Sequence, residues 1–328
     1  MTEFERWNLA KWKRNIRTPL VESFFFKINI PEEECVFFGK YTFLKPSPGK
    51  GESSGNLWGI FFDTADRSRN RAFKETFHEP DIVSASNRFY LKIGAGELAP
   101  GLAAGKAGEI EWNLTFETGG ETLVHFPYEI MYSMPFPKNK IVSPLVSTKF
   151  YGDLKAGGRK IKINGSAGMQ GHNWGSKHSS HWVWTHCNLF DKSGHGGVVF
   201  EGISSRLPVG NYRTPPLTII CLKRGKEVFL FNNPIQFLSA LSRQKGLRWE
   251  FGAYGGSHKI EGVFFGESDD FIGLNYINPD GTITPCLNSM ACGCSIRLFK
   301  KKGFSGSYEL LDVFSTDTHA ALEIGGKI

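Results

Sequence analysis

The stretch from Gly165 to Phe200 reads GSAGMQGHNWGSKHSSHWVWTHCNLFDKSGHGGVVF, and it guides the interpretation of the whole chain. Its central residues alternate as in a β-strand, so that Trp182, Trp184, His186 and Asn188 share one face. Tryptophans that share a strand face with His and Asn are typical of the wall of an apolar ligand cavity with a few polar groups. The stretch therefore predicts a strand that lines a ligand cavity.

The rest of the sequence has the composition of a protein built from strands and turns. Its 328 residues include 28 phenylalanines, 38 glycines and 16 prolines. Short aromatic-rich runs recur between these turn formers, as in many β-sheet proteins. Residues 109–117 (EIEWNLTFE) alternate apolar and polar side chains, which is typical of an antiparallel strand with one solvated face. We therefore predict an all-β protein.

The predicted strands are too many for one small barrel, so we expect two β-domains. Residues 1–20 are predicted to form a helical segment, residues 21–150 an N-terminal domain, and residues 151–328 a C-terminal domain with the central motif at 165–200. The Gly- and Ala-rich residues 94–108 are predicted to form a loop.

The charge pattern argues against nucleic acid as a partner. The net charge is +7, but the basic residues are dispersed, and only residues 11–17 and 300–302 form clusters. Dispersed basic residues are typical of solvated surface. A weak contact of the N-terminal cluster with a membrane surface is left open.

Compartment and cofactors follow from sequence features that the chain lacks. Its first residues have no apolar core of a signal peptide, and no run has the ~18 apolar residues of a membrane span. The six cysteines then predict reduced thiols in a cytoplasmic protein. There is no phosphate-binding loop, and His172, His178 and His181 have no carboxylate at metal-ligand spacing. We predict neither a metal nor any other cofactor.

Three short motifs in the central stretch resemble the signature of the tocopherol cyclase family. They are Asn173-Trp174-Gly175, Trp182-x-Trp184 and Cys187-Asn188-x-Phe190. With His172, the first motif also resembles the signature of hydroxyneurosporene synthase (carotenoid 1,2-hydratase) and AttH proteins. The hydratase version commonly has an acidic residue before the His, and this sequence has Gly171 in that place.

The resemblance implies both a fold and a chemistry. The implied fold is two lipocalin-like (calycin-type) antiparallel β-barrel or sandwich domains packed together, with the motif where the halves meet. The implied substrate is a large apolar molecule, often an isoprenoid. Asn173, Trp174, Trp182, Trp184, Asn188 and Phe190 are then expected to bind the ligand.

Acid-initiated cyclisation or hydration of an alkene needs a proton donor in a water-poor pocket. The candidates are His172, His186 and Glu201, the last with its pKa raised by an apolar pocket. Aromatic faces would stabilise the developing carbocation.

Each of these residues also has a structural interpretation. Asn173-Trp174-Gly175 would form a corner, Trp182 and Trp184 would be core residues, His186 would be a hydrogen-bonded core histidine, and Glu201 would be a charge at a strand edge.

Two functions remain open at this point. The first is a cofactor-independent cyclase, hydratase or isomerase for an isoprenoid- or polyketide-like substrate of secondary metabolism. The alternative is a non-catalytic lipocalin-like carrier that binds an apolar small molecule in the same cavity. The sequence determines neither the substrate nor the direction of reaction nor the oligomeric state.

Overall fold

The computed structural model describes residues 1–79, 81–209, 212–303 and 306–326, and strands dominate it. The described α-helices are short: α1 (Glu3–Trp7) and α2 (Pro234–Ser239). Single 3₁₀ turns occur at Pro31–Glu33, Arg67–Arg69, Glu129–Tyr132 and Ser268–Asp270. None of the helices in these ranges combines the length and the hydropathy needed to span a membrane. The all-β prediction is confirmed.

The chain divides into two compact units. Unit 1 comprises Met1–Val124, Ile130–His178 and Asn275–Thr284, and unit 2 comprises His125–Glu129, Ser179–Leu274 and Pro285–Ile328. The units interleave along the chain, and the domain boundaries predicted from the sequence stay a prediction.

The sheet of unit 1 brings the first of its strands beside the last. Its order is β4-β3-β2-β1-β12-β11-β9-β8-β7-β6-β5, with β10 paired to β11. The strands are β1 (Leu20–Ile30), β2 (Cys35–Lys45), β3 (Ser54–Asp63), β4 (Arg71–His78), β5 (Ile82–Ser84), β6 (Leu91–Ile93), β7 (Gly96–Ala99), β8 (Leu102–Ala107), β9 (Ile110–Phe116), β10 (Leu123–Val124), β11 (Asn139–Ala156) and β12 (Arg159–Gly175). Burial alternates strictly along β9, as its sequence predicts.

This sheet curls over an aromatic core. The hydroxyl of Tyr41 on β2 donates to the carbonyl of Ala104 on β8 (2.7 Å) and accepts from the indole N–H of Trp112 on β9 (2.9 Å). Strands β2 and β8 are far apart in the order of the sheet, so these bonds cross its interior. Burial raises the pKa of Tyr41 far above its usual value.

The loop predicted for residues 94–108 is wrong, because this segment contains β7 and β8. Its glycines make room for bulky neighbours. A Cβ atom on Gly105 would lie 2.4 Å from the ring of Trp112, and one on Gly96 would lie 2.6 Å from Leu57. Gly and Ala are there because the sheet packs closely, whereas in the sequence they look like turn formers.

Unit 2 repeats this connectivity, since its first strand, β13, pairs with its last, β24. The order is β18-β17-β14-β13-β24-β23-β21-β20-β19, with β22 paired to β23 and a separate β15–β16 hairpin. The strands are β13 (His181–Cys187), β14 (Val198–Arg206), β15 (Pro208–Val209), β16 (Tyr212–Arg213), β17 (Leu217–Arg224), β18 (Glu227–Phe231), β19 (Leu241–Lys245), β20 (Arg248–Gly255), β21 (His258–Phe265), β22 (Ile272–Ile277), β23 (Ile283–Lys301) and β24 (Tyr308–Gly326).

The apolar core of unit 2 lies on one face of its sheet. Val183 and Cys187 of β13 pack there with Phe200, Trp249 and many other apolar residues. Because side chains alternate along a strand, Trp182, Trp184 and His186 lie on the opposite face. The sequence predicted this alternation, and the structure confirms it.

Candidate active site

His172 lies on β12 in unit 1 and is completely buried. Its Nδ1 is 2.6 Å from the backbone carbonyl of Trp7, and its Nε2 is 2.9 Å from Oε1 of Glu22 on β1. The ring also stacks on Phe24, with 4.0 Å between the centroids. A carbonyl only accepts hydrogen bonds, so Nδ1 carries a proton and donates it to Trp7.

The partners of Glu22 explain why this carboxyl group is buried. Its two oxygens accept the backbone N–H groups of Lys11 and Trp12, each at 2.7 Å. Burial lowers the pKa of His172, and the hydrogen bond and charge of Glu22 offset part of this effect. The His172–Glu22 pair therefore fixes the N-terminal segment against β1 and β12.

The rest of the motif around His172 packs tightly. Trp174 is buried against Tyr132, with ring centroids 5.8 Å apart, while Asn173 is half-buried. A Cβ atom on Gly175 would lie 1.9 Å from the carbonyl oxygen of Lys138, so only glycine fits this close approach of two strands.

Gly171 precedes His172 on β12 and is buried. It pairs with Phe25 on β1, and a Cβ atom at this position would lie 2.3 Å from the ring of Phe25. The phenyl ring thus fills the space that an acidic side chain would need.

In unit 2, both tryptophans of β13 donate hydrogen bonds to carboxylates on neighbouring strands. Nε1 of Trp184 donates to Glu201 on β14 at 2.9 Å, and Nε1 of Trp182 donates to Glu323 on β24 at 2.8 Å. The second oxygen of Glu323 accepts from Nδ2 of Asn288 at 2.9 Å. Each tryptophan of β13 therefore has a carboxylate from an adjacent strand as its partner. The two carboxylates differ in their other neighbours.

Glu201 is distinguished by two imidazoles. Nε2 of His125 lies 3.3 Å from Oε1 of Glu201, and His186 is the cross-strand neighbour of Glu201. Glu201 and His125 are each 1% exposed and His186 is 0% exposed, so the whole group is screened from water. We call Glu201, His125, His186 and Trp184 the Glu201 cluster.

The expectation that an apolar pocket raises the pKa of Glu201 is wrong. Burial does raise it, but the charge and hydrogen bond of His125, the charge of His186 and the hydrogen bond of Trp184 together outweigh burial. The net pKa of Glu201 is therefore below its usual value, and the group is a carboxylate near neutral pH. The sequence did not reveal the imidazole of His125 beside it.

The predicted site residues thus fall into two groups. His172 and Trp174 belong to unit 1, whereas Trp184, His186 and Glu201 come together in unit 2. Asn188 is half-buried just beyond the end of β13. Phe190 packs on the apolar core of unit 2, with its ring centroid 5.8 Å from that of Phe314.

Sequence reasoning missed His125, Glu22 and Glu323. A signal existed for the two acids, since Glu22 interrupts the apolar run LVESFFFKINI and Glu323 interrupts AALEIG. His125 lies in an irregular segment with no periodic pattern. Within the described ranges, no three His, Cys, Asp or Glu side chains are grouped so as to hold a metal ion.

Two solved structures have the same fold over most of this chain. An AttH protein of Nitrosomonas europaea matches with a TM-score of 0.56 and 10% identity, over 96% of this chain and 94% of that one. Kievitone hydratase of Nectria haematococca matches with a TM-score of 0.52 and 10% identity, over 94% and 89%. These likenesses confirm the predicted lipocalin-like fold class.

Comparison of the sequence gives the family. A search of curated protein sequences finds no match. The family model described as tocopherol cyclase-like matches residues 139–326, which include the whole central motif. That match covers more than half of the chain, so this protein belongs to the tocopherol cyclase-like family.

Proposed function

We propose that this protein is an enzyme that protonates a carbon–carbon double bond of a large apolar substrate, leading to cyclisation, hydration or isomerisation. The observation that carries the proposal is the buried Glu201 cluster, in which a carboxylate has two imidazoles as neighbours. The tocopherol cyclase-like family and the fold shared with a hydratase support this class of chemistry. The isoprenoid- or polyketide-like substrate rests on the family resemblance.

The proton donor in this proposal is an imidazolium, because Glu201 is itself ionised. His125 or His186 transfers a proton to one alkene carbon, the π electrons form the new C–H bond, and the adjacent carbon becomes a cation. In a cyclase a substrate hydroxyl, or in a hydratase a water molecule, then forms the C–O bond and returns its proton to the imidazole. In an isomerase the cation loses a proton from a neighbouring carbon.

The surroundings favour such a charged intermediate. The rings of Trp184 and His186 are nearly parallel, at 13°, with centroids 6.3 Å apart. An aromatic face stabilises a cation by about 0.5–2 kcal/mol, and the carboxylate of Glu201 adds a fixed negative charge. Because the group is buried, these interactions are stronger than they would be in water.

In this proposal His172 is a structural residue and not the proton donor. Both of its ring nitrogens already have partners in Trp7 and Glu22. Its role is then to hold the N-terminal segment in place within unit 1. Ligand contacts stay predictions for Asn173, Trp174, Trp182, Trp184, Asn188 and Phe190.

The test compares Glu201→Gln with Glu323→Gln. Each carboxylate accepts an indole N–H, and Glu201 also has Nε2 of His125 at 3.3 Å. In D₂O with a panel of prenylated phenols, the wild-type protein should place deuterium at the protonated carbon, which mass spectrometry detects. We expect Glu201→Gln to lower kcat by about 100-fold or more with little change in ligand affinity, and Glu323→Gln to keep most of its activity.

Two results would count against the enzyme. If Glu201→Gln, His125→Gln and His186→Gln each keep full turnover, none of these side chains takes part in the reaction. The second result is a wild-type protein whose tryptophan fluorescence is quenched on binding the panel, yet which places no deuterium in any bound compound. That result would identify it as the carrier.

A further inference from the structure

A polar cavity of about 220 Å³ lies in unit 2, on the other face of β13 from the Glu201 cluster. His181 and Val183 line it, whereas Trp182 and Trp184 point the opposite way. Residues of β14, β16 and β19, together with Pro216, provide the rest of its wall. It is therefore a separate site from the Glu201 cluster.

The rim of this cavity is basic. Arg206 of β14 and Arg213 of β16 line it together with His181. Burial lowers the pKa of His181, and the positive charges of Arg206 and Arg213 lower it further. Among the described residues that line the cavity, none is acidic. Two guanidinium groups and an imidazole thus face one space with no lining carboxylate to neutralise them.

Hydroxyl groups form the inner wall. Oγ of Ser204 lies 2.7 Å from Oγ of Ser242 and 2.9 Å from Oγ1 of Thr218. Ser242 also accepts the indole N–H of Trp249 at 2.9 Å, and either hydroxyl of the Ser204–Ser242 pair can be the donor between them. Ser204 is buried and held by these contacts, which gives the cavity fixed polar groups beside its basic residues.

We propose that this cavity binds a small oxyanion, either a carboxylate or a phosphate group, through Arg206 and Arg213 with the Ser242–Ser204 hydroxyls beneath. Arginine is suited to this task because its planar guanidinium matches both groups with paired hydrogen bonds. The site binds a polar ligand independently of the chemistry proposed for the Glu201 cluster.

The test measures binding of sodium phosphate and of sodium acetate by isothermal titration calorimetry, at ionic strength held constant with sodium chloride. We expect saturable binding of at least one anion, weakened tenfold or more in Arg206→Gln/Arg213→Gln. Arg243→Gln is the matched control, since Arg243 is exposed on β19 and alternates away from Ser242 and Gln244. Its affinity should equal that of the wild type.

The outcomes separate the possibilities. Binding of phosphate alone identifies a phosphate site, and binding of acetate alone identifies a carboxylate site. No saturable binding of either anion by the wild type overturns the proposal, as does equal affinity in the double variant. Both arginines are exposed, so the variants should fold. The circular dichroism spectrum of the single variant Arg213→Gln checks this.

Discussion

Replacing Glu22 by Gln tests whether the His172–Glu22 pair fixes the N-terminal segment. The carboxylate accepts N–H groups of Lys11 and Trp12 at 2.7 Å and meets Nε2 of His172 at 2.9 Å. An amide keeps one acceptor oxygen, but its NH₂ group then faces a backbone N–H. The change removes a charge-assisted hydrogen bond of about 1.5–3 kcal/mol and leaves a buried donor at a further cost of about 1–3 kcal/mol.

We therefore expect Glu22→Gln to lower the free energy of unfolding by about 3–5 kcal/mol in urea denaturation. Amide hydrogen exchange should also become faster at Lys11 and Trp12, before the rest of the chain opens. Glu111→Gln is the control, because Glu111 is exposed on β9. If the free energy of unfolding falls by less than about 1 kcal/mol and exchange at Lys11 and Trp12 is unchanged, the His172–Glu22 pair does not fix the N-terminal segment.

Three further predictions concern packing and pH. Gly171→Ala should cost about 1–3 kcal/mol in thermal unfolding, since its Cβ would meet the ring of Phe25, and a Phe25→Ala/Gly171→Ala cycle should show coupling of about 1 kcal/mol or more. Additive losses would contradict this. Tyr41→Phe should cost about 1–3 kcal/mol in urea, because Trp112 and Ala104 lose their partner; no loss would contradict the interior hydrogen bonds. Burial lowers the pKa of His178 from 6.5 to about 4, so the folded state binds a proton less readily than the unfolded chain. Stability should then fall by up to about 3 kcal/mol as the pH decreases from 6.5 to 4, and His178→Gln should flatten this part of the curve, as measured by urea titration at each pH.

The two acidic groups on the tryptophan face show how far local environment decides chemistry. Glu201 and Glu323 accept the same kind of indole hydrogen bond. Glu201 also has His125 at 3.3 Å, while Glu323 has the amide of Asn288 at 2.9 Å. An imidazole can carry the transferred proton and an amide cannot, so the same side-chain type has different capacities two strands apart.

The sequence by itself determined what depends on local periodicity. The alternation of residues 109–117 predicts β9, and that of Trp182, Trp184 and His186 predicts their shared face of β13. The motif around His172 gave the family. Each of these features lies within one strand or turn. The two-residue period of a β-strand is directly visible there in the order of apolar and polar side chains.

The tertiary structure alone decided what depends on contacts between distant residues. His125 lies 76 positions from Glu201 in the sequence and next to it in the fold. Together with His186 and Trp184, it lowers the pKa of that carboxyl group by more than burial raises it. Phe25 fills the space beside Gly171. The ring of Trp112 packs on Gly105, so the glycine-rich segment there is a strand of a closely packed sheet. Burial, pKa and close packing are set by which groups share a space, and linear order does not encode that directly.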